Sequence, residues 1–240
     1  MKQLFFFSLS IIVILGGCVN NNNPTGSNTE YPMLVNSLTG QITGWKYGAG
    51  RYITLQYRDS QNFVQTCASS KIDSTGRFSL QNLGSPPQSA SGGAVYPSED
   101  QYTKFLDNTF SCTDSSAKFI WGQLEVMGDT FTPYVGWVGR TSYDFNKRSA
   151  LGGDFDVSYF YVTKDVKLSG TIRARTYAGD TTDIQDITHF DLSFIRGWNQ
   201  QVRIYSAQTM FKDSNKTVYG NEYILTNYEP YVGMWIYYGN

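Results

Sequence analysis

Apolar and polar residues alternate most cleanly in the second half of the chain. Val166, Leu168, Gly170, Ile172 and Ala174 alternate with Lys167, Ser169, Thr171, Arg173 and Arg175, which places one face toward a core and one toward water. Phe190, Leu192 and Phe194 repeat the pattern against His189, Asp191 and Ser193. Arg196-Gly197-Trp198-Asn199 reads as a turn, Val202 and Ile204 continue on the next strand, and Tyr223 to Thr226 and Tyr231 to Tyr238 supply two closing strands. Upstream, the β-branched content and Trp121-Gly122 favour a strand over a helix for Phe119 to Val126. Gly128-Asp129 turns that strand into Phe131 to Val138, and Tyr159 to Val162 follows.

The first part of the chain has the same character. Gln41-Ile42-Thr43 is a short strand, Tyr47 to Arg51 a turn, and Ile53, Leu55 and Tyr57 alternate with Thr54 and Gln56. Asp73-Ser74-Thr75-Gly76 is a tight turn into Phe78-Ser79-Leu80. The Ser-, Pro- and Gly-rich stretch Gly84 to Gly93 reads as a linker or long loop. The pattern predicts an all-β fold, an antiparallel β-sandwich of one or two modules. A β-sandwich-like module is expected at 33–96 and an antiparallel β domain at 97–240.

Composition agrees. Aromatic residues make up 16% of the chain and charged residues only 16%, with 23 glycines, a balance that favours strands. The net charge of −1 and the scattering of Lys and Arg remove the basic footprint of a nucleic-acid binder.

The first residues differ from the rest. One positive charge, Lys2, precedes the apolar run Leu4 to Leu15, in which only Ser8 and Ser10 are polar. As a helix this run would rise about 18 Å, short of the ~30 Å hydrocarbon core, so it fits a cleaved signal rather than a span. Leu15-Gly16-Gly17-Cys18 follows it and resembles the bacterial lipobox. The resemblance implies a signal peptide at 1–17, a diacylglyceryl group on the Cys18 thiol with an acyl chain such as palmitate on its amine, and membrane anchoring. Val19, where an inner-membrane retention signal would place Asp, implies the outer membrane. Residues 18–32, rich in Asn with Pro24 and Gly26, offer little to bury and read as a flexible tether. With Cys18 acylated, Cys67 and Cys112 remain. In an oxidising compartment an even pair is most simply a disulfide, with two buried free thiols as the alternative.

Gly40, Ile42, Ile72, Asp73, Gly76, Phe78 and Leu80 together resemble the signature of transthyretin-like or carboxypeptidase-regulatory-like β-sandwich modules. That resemblance covers about 50 residues and implies a non-catalytic spacer or binding platform. Leu38-Thr39-Gly40-Gln41-Ile42 also resembles Leu168-Ser169-Gly170-Thr171-Ile172, a hint of duplication. With the Gly-Trp-Asn turn, this start resembles strands of uncharacterised exported bacterial lipoproteins, a family with no activity to carry over.

Candidate chemistry is sparse. His189 is the single histidine, beside Asp191, and no Gly-x-Ser-x-Gly elbow accompanies it; an exposed strand residue is the default. Paired carboxylates would serve a glycoside hydrolase, but only Glu30, Glu99, Glu125, Glu222 and Glu229 are Glu. Asp154 and Asp156, or Asp180, Asp183 and Asp186, are of calcium-loop type without the Gly and terminal Glu of an EF-hand. No catalytic residue, metal site or cofactor is therefore expected. Exposed tryptophans can stack on sugar rings or anchor a protein. Of the five, Trp45 and Trp198 sit at turn positions and are the expected ligand-contact aromatics. The expected function is a non-enzymatic envelope module contacting a partner protein or polysaccharide, with an envelope glycoside hydrolase as the alternative.

Overall fold

The computed structural model describes residues 34–87, 90, 92–94, 98–128, 135–144 and 146–239. The lipobox, the tether and residues 131–134 of the Phe131 to Val138 stretch lie outside them. Among the described residues there is no helix, and the expected all-β class holds. The strands in chain order are β1 (Leu38–Gln41), β2 (Tyr52–Arg58), β3 (Val64–Lys71), β4 (Arg77–Leu80), β5 (Gly93–Ala94), β6 (Thr103–Asn108), β7 (Ser111–Cys112) and β8 (Lys118–Met127). They continue with β9 (Gly136–Thr141), β10 (Phe155–Val162), β11 (Val166–Tyr177), β12 (Thr182–Phe194), β13 (Gly197–Asp213), β14 (Lys216–Thr226) and β15 (Met234–Gly239).

β1 and β4 form a two-stranded sheet. The turn that leads from β3 into β4 is closed by Asp73, whose Oδ1 accepts the backbone N–H of Thr75 (2.8 Å) and of Arg77 (3.0 Å), while Gly76 takes φ +85°, a conformation that favours glycine. Next to this turn, Ile42 N–H bonds Gly76 O (2.9 Å), and Ile42, Ile72, Phe78 and Leu80 are buried.

The other strands form one large sheet in the order β3-β2-β8-β9-β10-β13-β14-β12-β11-β6, with β15 on β9, β5 on β8 and β7 on β11. The ladder β2–β8 crosses the boundary drawn near residue 96, and Pro32–Asn240 forms one compact unit. The small sheet packs on the large one: the Phe78 ring meets Trp235 edge-on at 5.1 Å, and Ile42 bridges Trp235. This contact belongs to the larger core, which includes Ile53, Leu55, Leu124, Val126, Tyr159 and Trp198. A second cluster, Ala117, Val162, Val166, Leu168, Leu192 and Phe194, lies under β11 and β12, and Phe119 and Phe160 pack against it.

Besides the single parallel Ile42–Trp235 bridge, one ladder between the named strands departs from the antiparallel expectation. β12 and β14 are parallel, Thr182 opposite Thr217 through Asp191 opposite Thr226. β13 reverses direction after β12, and β14 folds back antiparallel on β13 but inserts between the two. Two reversals restore the original direction, so β14 must run parallel to β12.

The expected disulfide is corrected. Cys67 and Cys112 are free thiols. Cys67 lies on edge strand β3 and packs on the larger core, whereas Cys112 lies on β7, paired with β11 toward the opposite edge of the sheet, and packs on the second cluster. A disulfide needs Cα atoms within roughly 7 Å. An even count of cysteines carries no information about that distance. Burial pushes the Cys67 thiol up to about 11, which leaves almost no thiolate near neutrality. Without reductant, both cysteines should therefore take up alkylating agent once the chain is unfolded, and Cys67 only slowly while it is folded. Protection of both in denaturant until a reductant is added would mean that they are bridged.

Candidate functional site

β8 sorts its side chains strictly. Ile120, Gly122, Leu124 and Val126 face the core, while Trp121, Gln123 and Glu125 share the opposite face. β8 pairs with β10 at Phe119 to Gly122 and with β9 at Glu125 and Val126, and β9 pairs with β10 at Arg140 and Thr141. Between these three ladders the strands part around Gln123-Leu124, Val138-Gly139 and Ser158. A cleft of ≈270 Å³ opens at that gap.

The walls are aromatic. Trp121 is 60% exposed, the most open large aromatic after Phe63 (61%) among the described residues. Across the gap, the Trp137 and Tyr238 rings lie against each other, centroids 4.3 Å apart and tilted by 30°. Tyr143, Tyr205 and Tyr223 continue as edge-to-face neighbours at 5.8 and 5.4 Å.

The floor is polar and tightly held. Asp156 on β10 and Arg203 on β13 are cross-strand partners, and Arg203 donates to Asp156 Oδ2 from Nε (3.1 Å) and Nη2 (2.8 Å). Tyr205 O–H donates to the same oxygen (3.1 Å), and Tyr143 O–H donates to Tyr205 (3.2 Å). Arg203 also lies over the Tyr205 and Tyr223 rings at 5.3 and 5.6 Å. Burial opposes its charge, but the Asp156 carboxylate outweighs burial and holds its pKa above the ordinary value. Burial, then the Tyr143 hydroxyl, pushes the Tyr205 phenol far up, so it remains a neutral donor. A fixed guanidinium beside open aromatic faces suits a polar, neutral ring better than a free anion, because the cation already has its carboxylate.

A second cleft of ≈300 Å³ lies on the other side of Trp121, between β8 and β2, with Gln56, Arg58, Val64 and Glu125 in its lining. Burial raises the Glu125 pKa, partly offset by Arg58. Trp121 lines both clefts.

Of the expected contact aromatics, Trp198 is corrected. It is 3% exposed, faces the core opposite Tyr161 and donates from Nε1 to Gly84 O (2.8 Å). The turn lies one step earlier, where Asn199 Nδ2 donates to Ile195 O (2.7 Å) and Gly197 O (2.8 Å), so Trp198 already belongs to β13. Trp45 is half-buried, hydrogen-bonded to Gly48 O and packed edge-on against Tyr47 and Tyr237. Neither lines the clefts around Trp121. The residue that does, Trp121, had a signal: its alternation partners are Gln123 and Glu125.

The other candidates are engaged elsewhere. His189 pairs with Glu222 (2.8 Å) and Thr171 Oγ1 (3.0 Å) across β11, β12 and β14, rather than with Asp191. Asp183 is bridged by Arg175 and Lys216 (2.8 Å each), Asp180 accepts from Tyr177, and Asp186 accepts from Asn221, so cations and donors of the protein itself occupy the calcium-type carboxylates. No metal-ligating cluster occurs among the described residues. Glu99 accepts Phe105 N–H (2.6 Å) and Glu229 pairs with Arg140 (3.0 Å).

Asp154 is buried just below the cleft strands. Its carboxylate takes Arg148, Ser142 Oγ (3.0 Å) and Leu151 N–H (2.7 Å). The Arg148 hydrogen bond, overcoming burial, holds it down to about 2. A depressed carboxylate gives stability that is fully present above the unfolded value near 3.9 and is lost as pH falls toward 2. The wild type should therefore lose roughly 2 kcal/mol more than Asp154→Asn between pH 5 and pH 2. Urea midpoints along that range check this, and parallel pH curves for the two proteins would refute it.

Comparison with protein-family models, with curated proteins and with solved structures found no match.

Proposed function

We propose that this chain is a lipid-anchored cell-envelope protein that binds a polysaccharide, without catalysis, on the outer sheet face around Trp121. The observation that carries this reading is the 60% exposed Trp121 ring standing beside a gap in the sheet whose floor holds Arg203 against Asp156. Sugar rings present C–H faces to aromatic planes and hydroxyls to fixed polar groups, and this cleft offers both. Binding is favoured over hydrolysis because Asp156 is committed to Arg203 and Tyr205, which leaves no free carboxylate pair among the described residues of the gap. Anchoring rests on the lipobox-like Leu15-Gly16-Gly17-Cys18, and the outer membrane on Val19 after it. The low basic content argues against nucleic acid as the partner.

The full chain, held in a detergent without a sugar headgroup, should be retained on insoluble envelope glycan and released by soluble oligosaccharide. Failure of every glycan tried to retain it would sink the binding reading. Separately, Cys18→Ser should abolish palmitate labelling and move the protein out of the membrane fraction. Unchanged labelling and partition would sink the anchor and leave the glycan site standing.

A further inference from the structure

We propose that the cleft between β2 and β8 is a second sugar subsite, so that Trp121 is a platform shared by two neighbouring rings of a linear glycan. This rests on the glycan reading above and extends it to the length and chemistry of the ligand. Each cleft, at ≈270 and ≈300 Å³, lies at the small end of ligand pockets and suits a single ring better than a chain. The two adjoin on one sheet face. Gln56 pairs with Gln123, and Thr54 with Glu125, so these side chains share the face that carries Trp121.

The floor of the second cleft has a specific chemical demand. Gln56 is 5% exposed. Thr54 Oγ1 donates to Glu125 O (3.3 Å), and is thereby left to accept from Gln56 Nε2 (2.9 Å), which also meets Met127 Sδ (3.8 Å). With Nε2 so placed, Gln56 Oε1 is a buried acceptor with no hydrogen-bond partner among the described residues. Native structures rarely leave such an atom unmet, because it has given up its water with no hydrogen bond in return. The Glu125 carboxyl stands on the same face. The subsite therefore favours a ring that turns a donor, a hydroxyl or an N-acetyl N–H, toward the Glu125 carboxyl with the Gln56 amide beneath it, and that sets its apolar edge against exposed Val64 at the rim.

Chito-oligosaccharides and cello-oligosaccharides of increasing length, titrated calorimetrically into the full chain, test this. Affinity should rise at least tenfold between the single sugar and the length that spans both clefts, and then level off. Gln56→Leu should remove that gain; Glu125→Gln, at a partly exposed position, should cut the gain if Gln56→Leu does not fold. A gain confined to the chito series assigns the donor to the N-acetyl group, and an equal gain in both assigns it to a hydroxyl. Binding that needs Trp121 but does not change with length overturns the second subsite and leaves the glycan reading intact. No binding in either series, on a protein that also fails to bind envelope glycan, overturns both.

Discussion

Trp198→Ala is expected to lower stability by roughly 3–5 kcal/mol, the range for emptying a large aromatic site in a core. The indole fills the space between β13 and β8. It is 3% exposed, meets Tyr161 edge-on at 5.7 Å and satisfies Gly84 O through Nε1. Truncation leaves a cavity on one side and an unmet carbonyl on the other. The space exists because residue 122 is glycine: a Cβ there would stand 2.5 Å from Trp198 Cζ3 and 3.0 Å from Leu55 Cδ1. Gly122→Ala should thus be strongly destabilising alone and much less so in the Trp198→Ala background, since the alanine methyl can enter the vacated space. Denaturant unfolding of the two single variants and the double variant measures that coupling. Additive losses would mean that the indole and residue 122 are independent, and a loss below about 1 kcal/mol for Trp198→Ala would mean that the indole is not a core residue.

The same tryptophan marks where local reading of the chain fails. Alternation along a strand is a local property, so β11 and β12 were largely legible: of the residues read as inward, Val166, Leu168, Ile172, Leu192 and Phe194 are buried, while Gly170, Ala174 and Phe190 are only partly so. The Asp73–Gly76 turn was legible for the same reason, since its hydrogen bonds close within four residues. Trp198 was misread because one position decides whether a residue is the end of a turn or the start of a strand, and the Asn199 side chain made that choice. The parallel β12–β14 pairing, the separation of Cys67 from Cys112 and the parting of β8, β9 and β10 depend on which strands become neighbours. Periodicity says nothing about that. The candidate site lies in this second category: its aromatic wall comes from β8, β9 and β15 and its floor from β10 and β13, strands up to about a hundred residues apart in the chain. Only the face of Trp121 was readable, through Gln123 and Glu125 beside it.

Trp121→Ala should weaken glycan binding about 30-fold or more while changing stability by less than roughly 0.5 kcal/mol. The two halves of that expectation have different causes. Most of the indole is already in water in the free protein, so its removal opens no cavity in the core. In the complex, however, the ring would be covered on both sides, and a central aromatic that excludes water on both faces is where binding energy concentrates. Trp121→Phe should keep part of the affinity, because a smaller plane still stacks. Trp45→Ala should leave binding unchanged, because Trp45 packs on Tyr47 and Tyr237 away from both clefts. The loss should persist at high salt, since stacking on a neutral ring is not screened, whereas binding that disappeared with salt would point to the Arg203 charge as the main contact. Equal glycan retention by wild type and Trp121→Ala would place the ligand elsewhere on the sheet. A large fall in unfolding midpoint for Trp121→Ala would instead show that the ring is part of the core, and its exposure would lose its meaning as a site.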